Sequence, residues 1–225
     1  MKLNDFFQKG YYINLDRRTD RREEFEAEMK KAGLENLFER FPAIDGMNAS
    51  DKDWGKHKYC ALSYKKLFEK IYDEGHEYFL IFEDDAEFYN HTDITGLELA
   101  ELALDELQNF PDWDMIYFGG YPFDLMELVS PHLAKCNNIL TTHAIGYKRR
   151  FLEIILNQTS NFNPETNTFP IDGWLGSQIN ITKYIVNPIS IIQRHSVSDL
   201  DAFGHKANAR DFLNRYDLTK KIKKY

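Results

Sequence analysis

The sequence predicts an α/β domain with a mixed, mostly parallel sheet flanked by helices. Three observations point there. Short apolar stretches alternate with longer segments of helical period along most of the chain. Two of those stretches, residues 78–82 and 114–120, are apolar almost throughout, as strands covered on both faces are. Several of them run directly into acidic or glycine-rich turns, and an open α/β sheet carries its site at the carboxyl ends of its strands. With 225 residues, 43% of them hydrophobic, the chain is long enough for one domain with a substantial core. That domain is expected over residues 1–201. Residues 202–225 form a polar extension of the same domain, ending in a basic tail.

Tyr11-Tyr12-Ile13-Asn14-Leu15, rich in aromatic and branched side chains, reads as the first strand. After a charged turn, Asp20 and Glu23 have the spacing of a capping box. They open a helix whose apolar stripe uses Phe25, Met29 and Ala32, and Gly33 stops it. Phe41-Pro42-Ala43-Ile44-Asp45-Gly46 reads as a second strand ending in an Asp-Gly turn. A helix follows over 60–72, on the spacing of Leu62, Leu67, Phe68 and Ile71, and stops near Gly75. The buried strand at 78–82 comes next, then a helix over 97–107 and the second buried strand at 114–120. Helices are expected over 149–156 and from Ile171 through Leu175 to Ile179. Two late strands, 184–186 and 189–192, are separated by Pro188.

Composition excludes several classes. Acidic residues outnumber basic ones, 36 to 28, for a formal net charge of −8, which argues against a general nucleic-acid binder. No run approaches the roughly 18 apolar residues a membrane span needs, and the start lacks the apolar core of a signal peptide. The two cysteines, Cys60 and Cys136, make no disulfide framework and no paired metal spacing. A cytoplasmic, reducing location is the expectation. The cluster Lys220-Lys221-Ile222-Lys223-Lys224 is either a solvated tail or a peripheral contact with an anionic membrane, where each Lys adds roughly 1 kcal/mol. Ser-hydrolase elbow, P-loop and GxGxxG patterns are all missing from the sequence.

The sharpest chemical feature is Leu80-Ile81-Phe82-Glu83-Asp84-Asp85. Three successive acids at the end of an apolar strand repel one another unless a cation sits among them. Hard carboxylate oxygens there suit Mg²⁺ or Mn²⁺ bridging substrate phosphates. The plainer reading is a solvated acidic strand end. The turn from Asn14 to Arg22 offers several Arg and a helix N-terminus, which suits a diphosphate. Alternatively it is a charged helix start with pairs such as Arg22–Glu26. Asp172 is either a helix N-cap or a general base for an acceptor hydroxyl. His195 is either a surface residue or a ligand closing on the same metal as Asp85. Cys60 reads as core packing.

Taken in order, YYINLDRRTDRREE, FPAIDG, CALSYKKLFEKI, LIFEDDAEF, WDMIYFGG, and PIDGWL followed by NPISIIQRHSVSDL resemble glycosyltransferase family 25 over residues 11–200. That family includes lipopolysaccharide galactosyltransferases and collagen hydroxylysine glycosyltransferases. The resemblance implies a GT-A fold and inverting transfer of galactose or glucose from a UDP-hexose to a hydroxyl of a glycan or glycoconjugate, with Mn²⁺ or Mg²⁺. It implies that Asp85 holds the cation, with His195 as a second ligand, while Asp84 or Glu83 reaches the ribose. Asn14, Leu15, Arg17, Arg21, Asp45 and Ser63 would line the nucleotide-sugar site, with Arg17, Arg18 and Arg21 supporting the diphosphate charge or the base-binding loop, and Asp172 would be the base. On aromatic chemistry alone, apart from the resemblance, Trp174 and the Phe118–Tyr121 turn would supply an apolar acceptor platform. The family's usual Cys-x-x-Ser-His run ends here in Tyr64, and a phenol cannot shuttle protons or bind metal as an imidazole does at neutral pH. Ser63 and Lys65 stand as substitutes. Two other classes stay open: a nucleotide-sugar-binding module without turnover, and a metal-dependent phosphoesterase.

Overall fold

Side chains of the central strands alternate between two apolar layers, and that alternation organises the molecule. The computed structural model describes residues 1–47, 55–124, 126–157, 170–195 and 199. In chain order these form α1 (Leu3–Phe6), β1 (Lys9–Asn14), α2 (Thr19–Lys31), β2 (Phe38–Pro42), α3 (Gly55–Glu74), β3 (Tyr78–Glu83) and β4 (Ala86–Phe88). Then come α4 (Gly96–Leu107), β5 (Met115–Tyr117), β6 (Tyr121–Pro122), β7 (Glu127–Ser130), β8 (Leu133–Lys135) and β9 (Ile139–Leu140). The rest are β10 (Ala144–Lys148), α5 (Arg149–Asn157), α6 (Ile171–Ser177), β11 (Lys183–Val186) and β12 (Ile191–Gln193). The main sheet has the order β2-β1-β3-β10-β5-β11-β8-β7. Its pairings make β10 and β8 antiparallel to their neighbours, so the other six strands share one direction. The mixed, mostly parallel α/β sheet is therefore as expected.

Tyr11, Ile13, Phe79, Ile81, Tyr117 and Tyr147 face one layer, where α3, α5 and α6 pack through Tyr64, Phe68, Phe151 and Leu175. Tyr12, Leu80, Phe82 and Ile116 face the other, against Phe25 and Met29 of α2 and the Leu99–Leu104 stripe of α4. Period two in the strands and period 3.6 in the helices thus give three layers.

Several elements differ from the sequence expectation. The Asp20–Glu23 capping box does not form. Arg18 takes the N-cap position without a side-chain cap, and its guanidinium holds the Asp20 carboxylate at 2.8 Å. A charge-assisted pair outcompetes a backbone cap. The full capping box lies instead at Thr95 and Glu98 of α4. The second strand is shifted toward the N-terminus, because Ile44 leaves the ladder and gives its N–H to Ser63 Oγ at 2.8 Å. The last strand shortens to β12 and joins β4 in a separate two-stranded sheet, since Ser190 and Ile191 both donate to Phe118 O. Strand β10, absent from the sequence reading, is inserted between β3 and β5. Gly33 ends α2 with φ +70° as expected. At Gly119 a Cβ would lie 1.8 Å from Ile191 O, so only glycine lets β5 run so close to β12. Among the described residues no helix is long and apolar enough to cross a membrane. The extension at 202–225, with its Lys cluster, lies outside the described residues.

Candidate active site

Strands β1 and β3 are parallel neighbours in register, Ile13 opposite Glu83, so they end together. Asn14 and Asp84 therefore meet at the carboxyl edge, where Asn14 Nδ2 donates to Asp84 Oδ2 at 2.7 Å. Arg21, from the first turn of α2, reaches the same place. Its Nη1 lies 3.0 Å from Asp84 Oδ1 and 3.6 Å from Asp85 Oδ2. The cation that three adjacent acids demand is thus supplied in part by the chain. Asp85 is 9% exposed, and its Oδ1 is buried with no hydrogen-bond partner. Burial pushes its carboxyl up, against the pull of Arg21 and Arg194. Asp84 is likewise raised by burial and by the charge of Asp85.

Glu83 turns the other way. Its Oε1 accepts from Thr142 Oγ1 at 2.6 Å and from Tyr64 OH at 3.0 Å, and Tyr64 OH also stands 3.0 Å from Thr142 O. Burial, with Asp85 adding to it, pushes the Glu83 carboxyl up to about 7. Tyr64 is fully buried, and its hydroxyl anchors an acid. His143, which follows Thr142 in the chain, is held between Thr141 Oγ1 and Ile191 O. A carbonyl only accepts, so Nε2 carries the proton, and burial lowers the ring to about 4.

The three acids, Arg21 and Tyr64 line a cleft of about 870 Å³ counted to its open mouth. Leu15, Arg17, Arg21, Asp45, Glu83, Asp84 and Asp85, all anticipated, are on its wall. Arg17 donates from Nε to Asp45 Oδ2 at 2.8 Å and from Nη1 to Asp199 Oδ1 at 2.7 Å, and Arg18 also pairs with Asp199. Asn14 and Ser63 stand behind the wall. Asn14 links Asp84, Arg18 O and Arg40, while Ser63 Oγ bridges Ile44 N and Tyr59 O. Both shape the site without facing it.

Asp172 and His195 are not part of this lining. Asp172 is not the N-cap either: Pro170 is, and the Asp172 carboxylate accepts from Thr141 N at 3.1 Å and Gly173 N at 2.7 Å. Thr141 is held there at φ 69°, uncommon for a β-branched residue. His195 is exposed. The preceding Arg194 gives its N–H to Asp85 O at 2.6 Å, and it is Gln193 that reaches the Asp85 carboxylate. Trp174 and Phe118 are core residues and offer no platform, whereas Tyr121 edges a small neighbouring pocket with Gly120 and His143. Gln193, Asp199 and Lys56 of the cleft were missed. Their elements come together only through β12–β4 pairing and loop packing, for which the sequence has no local signal.

Among the described residues no three His, Cys, Asp or Glu side chains converge as a metal cage. A diphosphate-bridging ion needs less, one or two carboxylates with phosphates completing its shell. Asp85 Oδ1, buried and without a partner, fits such an ion.

A model described as glycosyltransferase family 25 (LPS biosynthesis protein) matches residues 7–118. A "Glycosyltransferase 25 family member" of Aedes aegypti is 32% identical over 130 residues, covering 48% of this chain and 20% of its own length. The Anopheles gambiae protein of the same description is also 32% identical over 130 residues, covering 48% and 21%. The chain spans about a fifth of the length of these curated relatives. Among solved structures, a glycosyltransferase involved in the glycosylation of the major capsid of PBCV-1 is 14% identical, with a TM-score of 0.42 over 73% of this chain and 70% of its own. A likeness that distant bears on neither substrate nor chemistry. The matched segment runs from the start of β1 through the acidic turn to the end of β5, taking in most of the cleft wall, and residues 7–118 carry a glycosyltransferase family 25 domain.

Proposed function

We propose that the chain is an inverting glycosyltransferase that moves a hexose, galactose or glucose, from a UDP-sugar to a hydroxyl of a glycan or glycoconjugate, with Mn²⁺ or Mg²⁺ at Asp85. The observation that supports this most is the buried, partnerless Oδ1 of Asp85, a residue that stands beside Asp84 on the wall of the cleft at the carboxyl end of a central strand. A divalent ion there supplies charge to the diphosphate as the sugar leaves. Asp85 would hold that ion, and Asp84 is kept in place by Asn14 and Arg21. Arg17, on the cleft wall, is positioned to take an oxygen of the nucleotide in exchange for Asp199. Glu83, hydrogen-bonded away from the ribose side by Thr142 and Tyr64, would fix the floor. Asp172 is the base candidate, its carboxylate keeping lone pairs beyond the two backbone bonds it accepts. UDP release from a panel of UDP-sugars, with and without Mn²⁺, tests the reading. Metal-dependent release for one donor, lost in Asp85→Ala, is expected, and absence of UDP binding would sink it.

One observation favours a second reading, a nucleotide-sugar-binding module without turnover: Asp172 is engaged by Thr141 and Gly173 and lies outside the cleft lining. Metal-dependent UDP binding with no release, acceptors supplied, would decide for it.

A further inference from the structure

We propose that Arg21 is the resident counter-cation of the Asp84–Asp85 pair and thereby makes divalent-metal binding depend on a bound nucleotide; this rests on the UDP-sugar reading above. The sequence suggested Arg21 as a contact for the donor. Its geometry points elsewhere, because Nη1 is committed to Asp84 Oδ1 at 3.0 Å and stands 3.6 Å from Asp85 Oδ2. Both carboxylates and the Arg21 side chain are buried, so water screens these charges little. A divalent ion approaching this edge meets two carboxylates with the Arg21 guanidinium in ion-pair range of both, and Arg194 draws on Asp85 as well, so it meets less negative charge than the acids alone would present. The oxygen left for it is Asp85 Oδ1, on the same carboxylate as the oxygen nearest Arg21. Two cations on opposite oxygens of one carboxylate repel each other. Asp84 offers little help, since its oxygens already serve Asn14 and Arg21. Among the described residues no further His, Cys, Asp or Glu converges to complete a shell.

The missing negative charge and the missing ligands are what a nucleoside diphosphate brings. Metal alone is therefore held weakly, and metal with UDP tightly, by a coupling that is reciprocal between the two. Arg21 also keeps the acid pair in place when neither is bound. It is a positioning residue, acting through Asp84 and Asp85.

The test is a Mn²⁺ titration of the whole chain, followed by the electron paramagnetic resonance of the free ion, with and without UDP. Wild type, Arg21→Gln and Arg21→Lys are compared, and each is melted with and without Mn²⁺. Wild type is expected to bind Mn²⁺ about tenfold more tightly when UDP is present. Arg21→Gln tightens Mn²⁺ binding without UDP by about tenfold and shrinks the effect of UDP, while Arg21→Lys restores the wild-type pattern. A destabilised Arg21→Gln still reports, because Mn²⁺ alone raises its melting temperature more than it raises that of wild type. Arg21→Gln with unchanged or weaker Mn²⁺ binding in the absence of UDP, and no gain in melting temperature, overturns the inference while leaving the transferase reading intact. If wild type binds no Mn²⁺ even with UDP, the metal-dependent reading fails and this inference with it.

Discussion

Asp114 and Asp85 are both buried aspartates at the ends of β5 and β3, two strands that run in the same direction. Asp114 precedes its strand. It is fully buried, and both its oxygens are answered: Arg150 Nη1 lies 2.7 and 2.8 Å away, and Thr182 N donates at 2.8 Å. Asp85 follows its strand and keeps one buried oxygen without a partner. The same side chain, similarly removed from water, is complete at the amino end of the sheet and incomplete at the carboxyl end. Burial alone therefore does not mark a site. A buried charge that the chain does not satisfy does, because nearly every other buried polar atom finds a partner.

The largest effect that sharpens this contrast is expected at Asp85. Asp85→Asn should cut UDP release from the sugar donor about a thousandfold, as loss of a principal electrostatic group does. Its melting temperature should stay level or rise, because an incompletely paired buried carboxylate is removed. A fall in melting temperature without loss of turnover would break the comparison. Asp114→Ala should do the reverse. It strands the Thr182 N–H and should cost about 2 kcal/mol, with UDP affinity unchanged. Half-exposed Arg150 can turn to water, which keeps the cost from being larger. For a chain this size the melting temperature falls roughly 6 °C.

A subtler difference lies in pH. The folded Glu83 carboxyl, raised to about 7, holds a proton that the unfolded chain has shed above about 4.5, so its contribution to stability falls as pH rises across that window. His143, lowered to about 4, refuses a proton that the unfolded chain binds below about 6.5, so its contribution rises with pH from 4 to 6.5. The two slopes oppose each other where they overlap. Melting curves between pH 4.5 and 6.5 should be flattest for wild type, rise with pH in Glu83→Gln and fall in His143→Asn. The smallest effect is Tyr64→Phe, which removes one hydroxyl from the Glu83–Thr142 network and should cost about 1 kcal/mol. If it also leaves metal-dependent UDP binding intact, Tyr64 is a structural partner of Glu83 and does not do the work of a histidine.

Much of the fold was legible. The buried strands at 78–82 and 114–120 and the helices ending at Gly33 and Gly75 follow from local period and from glycines at positive φ. Strand β10 was not legible. Its five residues carry no alternation to set them apart, and they are a strand only because β3 and β5 flank them. In the site, the acidic turn stood out because charge directly after an apolar strand is locally visible. Gln193 and Asp199 did not, since each reaches the cleft from a segment far along the chain.

The sequence by itself determined the α/β alternation, the family and the placing of three acids at a strand end, all of which follow from short-range pattern and motif order. Tertiary structure decided which charge answers which. Arg21 turns to the acids, Asp172 to the Thr141 N–H, Glu83 to Tyr64 and Thr142, and Asp85 keeps a buried oxygen without a partner. The reason is physical: the cost of a buried charge depends on partners within a few ångströms, and those come from elements brought together by core packing, whatever their separation along the chain.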